Sequence, residues 1–487
     1  MAPRFVLLWT DVVVFLLVIA LAWYVRHVRR SPNLRADWTR VFSDAPALCS
    51  AVILLLFLMV TLLDTVHFRR ALPPSATASA DARVAYDSRT ESLLDLALSD
   101  LVDSREATYS MPLAYESFTK ESQVVDGRSV RVFPRLLHGG AQLVDPAREW
   151  RPDLLRRGAA GLAGGVLAAW LVFMLAAAVH ARGQAIGLAE ALGRIARNET
   201  ALPLRAALLT VAAVCALAGP VVALIGHYHV MGTDRTGNDV LYQALKSVRT
   251  AFVIGTLATL ATLPFAVAFG IAAGYFRGWV DEVIQYLYTT LSSVPNVLLI
   301  AACVLMVQVF IDKHPEMFQT GAERSDLRLF LLCVILGVTG WASLCRLLRA
   351  ETLKLRELEY VQAATAFGVS HWRIMARHIM PNVMHLVLIT TVLEFSGLIL
   401  YEAVLSYVGV GVDPSMNSFG GMINLARAEM SRDPVVWWSF AAAFGFMVTL
   451  VLAANLFADG VQDAFDPRSR VFRPRRIVLP KRPRSAP

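Results

Sequence analysis

Nine separate stretches of this chain are each apolar for about 20 residues or more, and that pattern excludes most folds. They run roughly 5–25, 46–66, 158–179, 206–226, 251–274, 283–310, 326–345, 383–407 and 436–458. A segment of this length spans the hydrocarbon of a bilayer as a helix, because its backbone N–H and C=O groups must find partners within the segment. Composition agrees: 56% of the 487 residues are hydrophobic and 17% charged, too much apolar surface for a dispersed soluble chain. The expected fold is an all-α polytopic membrane protein with about nine transmembrane helices. The first stretch has Arg4 ahead of an apolar core, as a signal peptide would. It continues into Trp23-Tyr24 and a basic cluster without a small-residue cleavage site, so it reads as an uncleaved anchor.

The net charge of +8 does not point to nucleic acid, because the basic residues lie in short segments between apolar runs. Arg26, Arg29, Arg30, Arg35 and Arg40 follow the first run; Arg182, Arg194, Arg197 and Arg205 follow the third. The segment 346–382 carries Arg346, Arg349, Lys354, Arg356, Arg373 and Arg377, and the tail after Asp459 is basic. These are alternate loops, and the positive-inside rule assigns them all to the cytoplasm. With nine spans the N-terminus and the polar stretch 67–157 then lie outside. The five cysteines (Cys49, Cys215, Cys303, Cys333 and Cys345) sit in or beside apolar runs without C-x-x-C spacing, and read as packing residues rather than as a disulfide or metal framework.

The expected organisation is two N-terminal helices over 1–66, an extracytoplasmic segment over 67–157, a third helix and cytoplasmic linker over 158–205, a six-helix core over 206–467 and a basic tail over 468–487. Segment 67–157 opens with Leu72-Pro73-Pro74-Ser75, has an amphipathic stretch from Glu91 to Val102, and carries turn signals at Asp126-Gly127 and Gly139-Gly140. Two readings stand for it, a small extracytoplasmic domain or a loop without fixed order.

Within the cytoplasmic loop 351–382, Leu353, Leu355, Leu358, Val361 and Ala364 have helical spacing, with Ala363-Ala364 offering small side chains. Gly368 breaks the run, Ser370 is placed to cap a second helix over His371–Ile379, and Pro381 is placed to end it. This is a helix–turn–helix, tied at both ends to membrane helices and therefore unsuited to entering a DNA groove; a solvated amphipathic connector is the plainer alternative. The run Gln362-Ala363-Ala364, Gly368, His378-Ile379-Met380-Pro381 resembles the "EAA" loop of binding-protein-dependent ABC importer permeases. It departs from the pattern at Gln362, where Glu is usual, at Met380, where Leu is usual, and at His378. In that family the loop docks into the ATPase subunit. Residues 231–240, Met-Gly-Thr-Asp-Arg-Thr-Gly-Asn-Asp-Val, resemble the G-T-D-x-x-G-R-D-V signature of the peptide and nickel branch, with Gly232, Thr233, Asp234, Gly237 and Asp239 in place and Asn238 for Arg; taken alone they are a tight turn. The segments Gly274–Asp281 and Leu405–Gly411 and the stretch from Asp459-Gly460 to Asp466-Pro467-Arg468 also fit. The resemblance covers about 200–467 and leaves 1–200 unexplained. It implies a type I permease core, cytoplasmic ATP-binding subunits, a second permease subunit (homologous or identical), an extracytoplasmic solute-binding protein, and a peptide or similar small solute.

Ionisable residues inside spans are functional candidates, because lipid penalises them. Glu394 and Glu402, eight apart, lie near one face of their helix. Glu394 is deep, and either lines a solute path or pairs within the bundle. Glu402, near the outer end where solvation is cheap, reads as structural. Asp11 and Asp64, also near outer ends, call for no special role, and Pro264 and Pro295 are expected to kink pore helices. The chain contains no G-x-x-x-x-G-K-[ST], H-E-x-x-H or G-x-S-x-G, so it is expected to have no ATPase site, catalytic residue, cofactor or metal of its own. The alternative in another class is a membrane receptor with 67–157 as its sensing domain, which would call for a cytoplasmic output domain. A secondary transporter would call for inverted repeats, and an intramembrane enzyme for a catalytic motif at depth.

Overall fold

The computed structural model describes residues 4–71, 86–87, 89–125, 128–318 and 320–465. The expected linker at Leu72-Pro73-Pro74-Ser75, the Asp126-Gly127 turn, the Asp466-Pro467-Arg468 motif and the basic tail lie outside these residues. Helix α1 (Trp9–Arg30) leads through α2 (Pro32–Ser43) to α3 (Ala45–Thr65). After the polar segment come α4 (Pro146–Gln184), α5 (Leu204–Leu224) and α6 (Val240–Phe276). Next are α7 (Gly278–Ser293), α8 (Asn296–Lys313), α9 (Gly321–Gly340) and α10 (Ala342–Arg356). The chain closes with α11 (Glu359–Ala366), α12 (His371–Val408), α13 (Phe419–Glu429) and α14 (Trp438–Phe465).

Every expected span is represented among the described residues. Eight helices are long and apolar enough to cross a membrane, and α9 with α10 qualifies as a pair bent by 40° at Trp341. Two expectations are corrected. The run 283–310 is two helices, because Pro295 cannot donate a backbone hydrogen bond and the chain is extended at Val294 and Pro295 between α7 and α8. Pro264, by contrast, lies inside an unbroken α6.

The central element is α6, whose 37 residues span about 55 Å. It packs against α3, α9, α10 and α12, and apolar clusters follow one another along its length. Near Asp239, Val240, Ala244 and Val248 meet Phe419 and Trp438. At the middle, Val253, Ile254 and Leu257 meet Ile300, Leu332 and Leu405. Near its last turn, Ile271 and Ala273 meet Leu344, Leu348, Ile374 and Ile379. Glycines permit the approach: a Cβ on Gly270 would stand 2.9 Å from the Cys345 carbonyl oxygen, and one on Gly274 2.7 Å from that of Arg349.

Residues 4–66 pack onto this core. An antiparallel ladder of β1 (Arg4–Val6) and β2 (His67–Arg69), extended by β3 (Glu91–Ser92), clamps the start of α1 to the end of α3. At the other end, Val41 and Ala47 are buried with Val461 and Ala464 of α14. The polar segment is folded where described. The stretch expected to be one amphipathic helix from Glu91 to Val102 is β3 followed by two short helices, Leu93–Ala97 and Ser99–Asp103. Ser92 and Asp95 form a reciprocal capping box that starts the first of these. A hairpin of β4 (Glu121–Val125) and β5 (Arg128–Val132) follows.

Helices α4 and α5 join through Gly161 and Gly165, spaced as G-x-x-x-G, against Gly219. A Cβ on Gly165 would collide with the Cys215 carbonyl, and one on Gly161 would lie 2.5 Å from that of Gly219. Gly165→Ile is therefore expected to force the two backbones apart and cost about 3 kcal/mol or more. A lowered thermal midpoint of the detergent-solubilised protein would register it, whereas Gly164→Ile, whose Cβ meets nothing within 4 Å, leaves the midpoint near wild type.

Candidate functional site

The residues singled out by sequence fall at the two ends of α6 and in a cleft between. At the Asp239 end the signature residues form a staple. Gly232 (φ +71°) and Gly237 (φ +76°) hold left-handed turns, and a Cβ on Gly232 would stand 2.5 Å from the Ser110 carbonyl. Thr233 is fully buried; its hydroxyl donates to the Thr108 carbonyl at 2.8 Å and accepts from the Ser110 N–H at 2.7 Å. The Trp438 indole N–H donates to the Thr233 carbonyl at 2.9 Å. Asp234 accepts from the Thr236 and Asn238 N–H groups at 2.8 and 2.9 Å, closing the turn. Asp239 caps α6, accepting from the Leu241 and Tyr242 N–H groups at 2.8 and 3.2 Å.

Sequence reading missed the partners that complete this staple. The other Asp239 oxygen meets His229 Nδ1 at 2.8 Å, and His229 Nε2 lies 3.4 Å from Glu106. Glu106 also accepts from the N–H groups of Leu137, His138 and Gly139 at 2.8–3.0 Å. Burial alone would raise the Glu106 carboxyl, but these donors hold it down at about 2. Burial alone would lower His229, but the hydrogen bonds and charges of Asp239 and Glu106 bring it up to about 9. The result is an imidazolium between two carboxylates, tying the 105–140 segment to the start of α6. The nearness of His229 to the signature was the one available signal.

At the opposite end, the Gly368 loop stands on a fixed base. The end of α6 turns through Arg277 and Gly278 (φ +56° and +57°) into α7. Arg349 of α10 grips Asp281 of α7 with two hydrogen bonds, 2.5 and 2.7 Å. The Arg356 guanidinium donates to the Tyr275 carbonyl at 2.6 Å, and the Tyr275 hydroxyl meets His371 Nδ1 at 2.8 Å. The helix expected before Gly368 is not continuous: α10 ends at Arg356 and α11 begins at Glu359. Val361 and Ala364 face the apolar base, whereas Gln362 and Ala363 are exposed. Gln362 donates to the Glu357 carbonyl at 3.2 Å across the break. Gly368, at φ +75°, makes the turn, and a Cβ there would point into open space.

Two expectations about the second arm are corrected. Ser370 occupies the N-cap of α12, but its side chain makes no capping bond. Pro381 does not end the helix; α12 runs from His371 to Val408 through a π-turn at Met375–Ile379. The wider turn accommodates a proline that lacks an N–H and crowds the Arg377 carbonyl. His378 lies beside Tyr360, ring centroids 6.1 Å apart, and Asn382 donates to the Tyr360 hydroxyl at 3.0 Å, so the two arms are tied together.

Between these ends, Glu394 lines a cleft of about 470 Å³ among α8, α9 and α12, with Thr390, Gly397 and Tyr401 on the same face. Glu402 is 1% exposed and accepts from Ser406 Oγ at 2.6 Å. The expectation of a solvated outer position is therefore corrected, because Glu402 lies on the face of α12 that is buried with Ile399, Ala403 and Ser406, while Leu400 and Val404 are exposed on the other face. Asp11 and Asp64 are also more than helix-end residues. Asp11 is fully buried, 2.6 Å from Arg249 and 2.8 Å from His67, while Thr10 hydrogen-bonds Asp326. Asp64 lies 2.6 Å from Lys246, which also meets Asp95 at 2.9 Å. The placement of the fifth apolar run at 251 left Lys246 and Arg249 outside it, which hid these partners.

Comparison with known proteins agrees with this architecture. The family described as binding-protein-dependent transport system inner membrane component matches residues 266–471. The oligopeptide transport system permease protein OppC of Mycobacterium tuberculosis is 32% identical over 248 residues, covering 51% of this chain and 79% of that protein. OppC of Haemophilus influenzae is 31% identical, covering 50% and 71%. The glutathione transport system permease protein GsiD of Pectobacterium atrosepticum is 29% identical, covering 49% and 73%. The chain belongs to the binding-protein-dependent transport family as an inner-membrane ABC importer permease. Within that family its relatives place it in the peptide branch.

Proposed function

We propose that this permease forms one half of a path for peptides or similar small solutes and is driven through its Gly368 loop by a separate ATP-binding subunit. The observation that carries this reading is a pair of bare aromatics on a rigid mount. Phe367 and Trp372 flank the Gly368 turn at 87% and 78% exposure, while Val361, Ile374 and Ile379 anchor the same element in the core. Exposed aromatics on a fixed base are what a protein interface uses as anchors. Gln362, Ala363 and Gly368 form the outer surface of the knob, and Ala364, His378 and Pro381 set its angle to α12. A push on the knob would travel along α12 and, through Tyr275 and Arg356, along α6.

The Asp239 end then faces the outside, where a solute-binding protein delivers its cargo to the stapled 105–140 segment. A second permease subunit closes the path lined by Glu394, whose carboxylate suits the amino terminus of a peptide. ATP hydrolysis belongs to the partner subunit, and neither a cofactor nor nucleic acid enters the reading.

The test is co-purification of the detergent-solubilised chain with its ATP-binding subunit. Phe367→Asp combined with Trp372→Asp is expected to lower capture at least ~30-fold, since each anchor is worth about 2 kcal/mol. Glu394→Gln should leave capture unchanged and slow transport. A folded wild-type chain that captures no ATPase would sink the reading.

A further inference from the structure

The extension that precedes the family core carries a feature the transport reading does not use. Helices α1 and α3 diverge over α6 and leave a groove of about 770 Å³. Its walls are apolar, including Leu17, Leu21, Leu54, Leu58 and Phe252. Along α1 it runs from Val14 to Arg29, about 22 Å, more than half the ~30 Å hydrocarbon thickness and so the reach of one acyl chain in one leaflet. Leu16, Leu21 and Leu55 beside it are exposed, so the groove opens to surrounding lipid.

The mouth of the groove is different in kind. It lies at the same end of the bundle as the Gly368 loop, because α1 starts beside Arg249 in the first third of α6 and runs on alongside Val253 and Thr256. There Trp38 Nε1 donates to the Tyr24 hydroxyl at 3.1 Å, a pair of the residue types enriched where membrane meets water. Arg29 belongs both to the groove and to an adjoining pocket of about 450 Å³, lined by Arg29, Arg30 and Arg35 together with Pro32, Ala36 and Thr39. All three arginines are exposed, and no acidic side chain bonds to them among the described residues. The start of α2 lies in the same pocket, at Pro32, and Ser31 makes no side-chain capping bond there, so the positive end of that helix dipole adds to the field.

We propose that this groove is a binding site for an anionic phospholipid, its acyl chain between α1 and α3 and its phosphate held by Arg29, Arg30 and Arg35. An apolar slot alone would accept any lipid. The arginines at its mouth, without an acidic partner among the described residues, make it selective, because guanidinium groups bind phosphate by paired hydrogen bonds as well as charge. Such a lipid fills the gap between α1, α3 and α6 and so fastens the extension to the core.

The experiment titrates the detergent-purified full-length chain with phosphatidylglycerol or phosphatidylcholine, reading Trp fluorescence and thermal midpoint. Phosphatidylglycerol is expected to bind at least ~10-fold more tightly, since each arginine near an anionic headgroup contributes about fivefold. Arg29→Ala/Arg30→Ala/Arg35→Ala, all on exposed positions, should abolish that preference while phosphatidylcholine binding persists. Leu21→Trp should fill the slot and weaken both lipids. Equal affinities for the two lipids in wild type, or a preference that survives the triple substitution, would overturn the proposal. So would glycerol phosphate competing as well as the whole lipid, which would mean a phosphate site without a groove. A photo-crosslinker at Leu21 that captures protein instead of lipid in native membranes would assign the groove to a partner subunit and overturn it as well.

Discussion

Arg249→Met is expected to destabilise the protein by about 3–5 kcal/mol, enough to leave little folded material in detergent. Arg249 is 4% exposed and lies 2.6 Å from Asp11 and 3.7 Å from Asp326. Both carboxylates are themselves at most 1% exposed, so deleting the cation leaves Asp11 with His67, and Asp326 with Thr10, but without the buried charge they share. A second substitution separates charge from packing. Arg249→Met with Asp326→Leu removes one buried anion together with the cation, and should recover part of the loss. Arg249→Lys should fall between, because an ammonium keeps the charge but loses the planar fork. Thermal unfolding in detergent reads all three; a single variant that melts like wild type would refute the importance of the cluster. The same geometry predicts that a chain lacking residues 1–66 will not fold, since it exposes Lys246, Arg249 and Asp326 without Asp64 and Asp11. Although it lies outside the residues shared with the family, the extension is part of the core's electrostatics.

The second large effect is a dependence of stability on pH at the Asp239 end. His229 is raised from 6.5 to about 9, so its stabilising contribution is complete below about pH 6.5 and disappears as pH rises through about 9. The shift corresponds to roughly 3 kcal/mol. Glu106, lowered from 4.5 to about 2, acts in the opposite sense: its contribution is complete above about pH 4.5 and lost as pH falls toward 2. Stability should therefore be greatest between about pH 4.5 and 6.5 and decline toward pH 9. His229→Gln should be less stable at pH 6 and lose most of that alkaline decline. If wild type and variant show parallel pH profiles of their thermal midpoints, the imidazolium is not what holds the staple. Local proteolysis between Arg105 and Gly140 would show the same trend, because the staple ties that segment to α6.

Much of the membrane architecture was legible without coordinates. In lipid a helix satisfies its own backbone, so a window of about 20 apolar residues carries nearly all the information needed to locate it. The errors came where an apolar run was not one helix. Pro295 divides 283–310, and Trp341 marks a 40° bend, because proline chemistry and packing act inside the run. The Gly368 turn was legible for a local reason: a left-handed φ favours glycine. The effect of Pro381 was not, because a proline can be accommodated by a π-turn as well as by ending a helix, and the choice depends on Ile374 and Ile379 being buried.

Sequence by itself determined the class of molecule, the position of its spans and the motifs at the two ends of α6, since each of these rests on interactions between residues near one another along the chain. Only the tertiary structure decided the pairing of Asp11 with Arg249, of Asp64 with Lys246 and of Glu106 with His229. Those partners are separated by more than a hundred residues, and a buried charge specifies that a counter-charge must exist without saying which one. Packing around α6 made the choice. It converted a row of ionisable residues near helix ends into the ties that join the extension, the polar segment and the permease core.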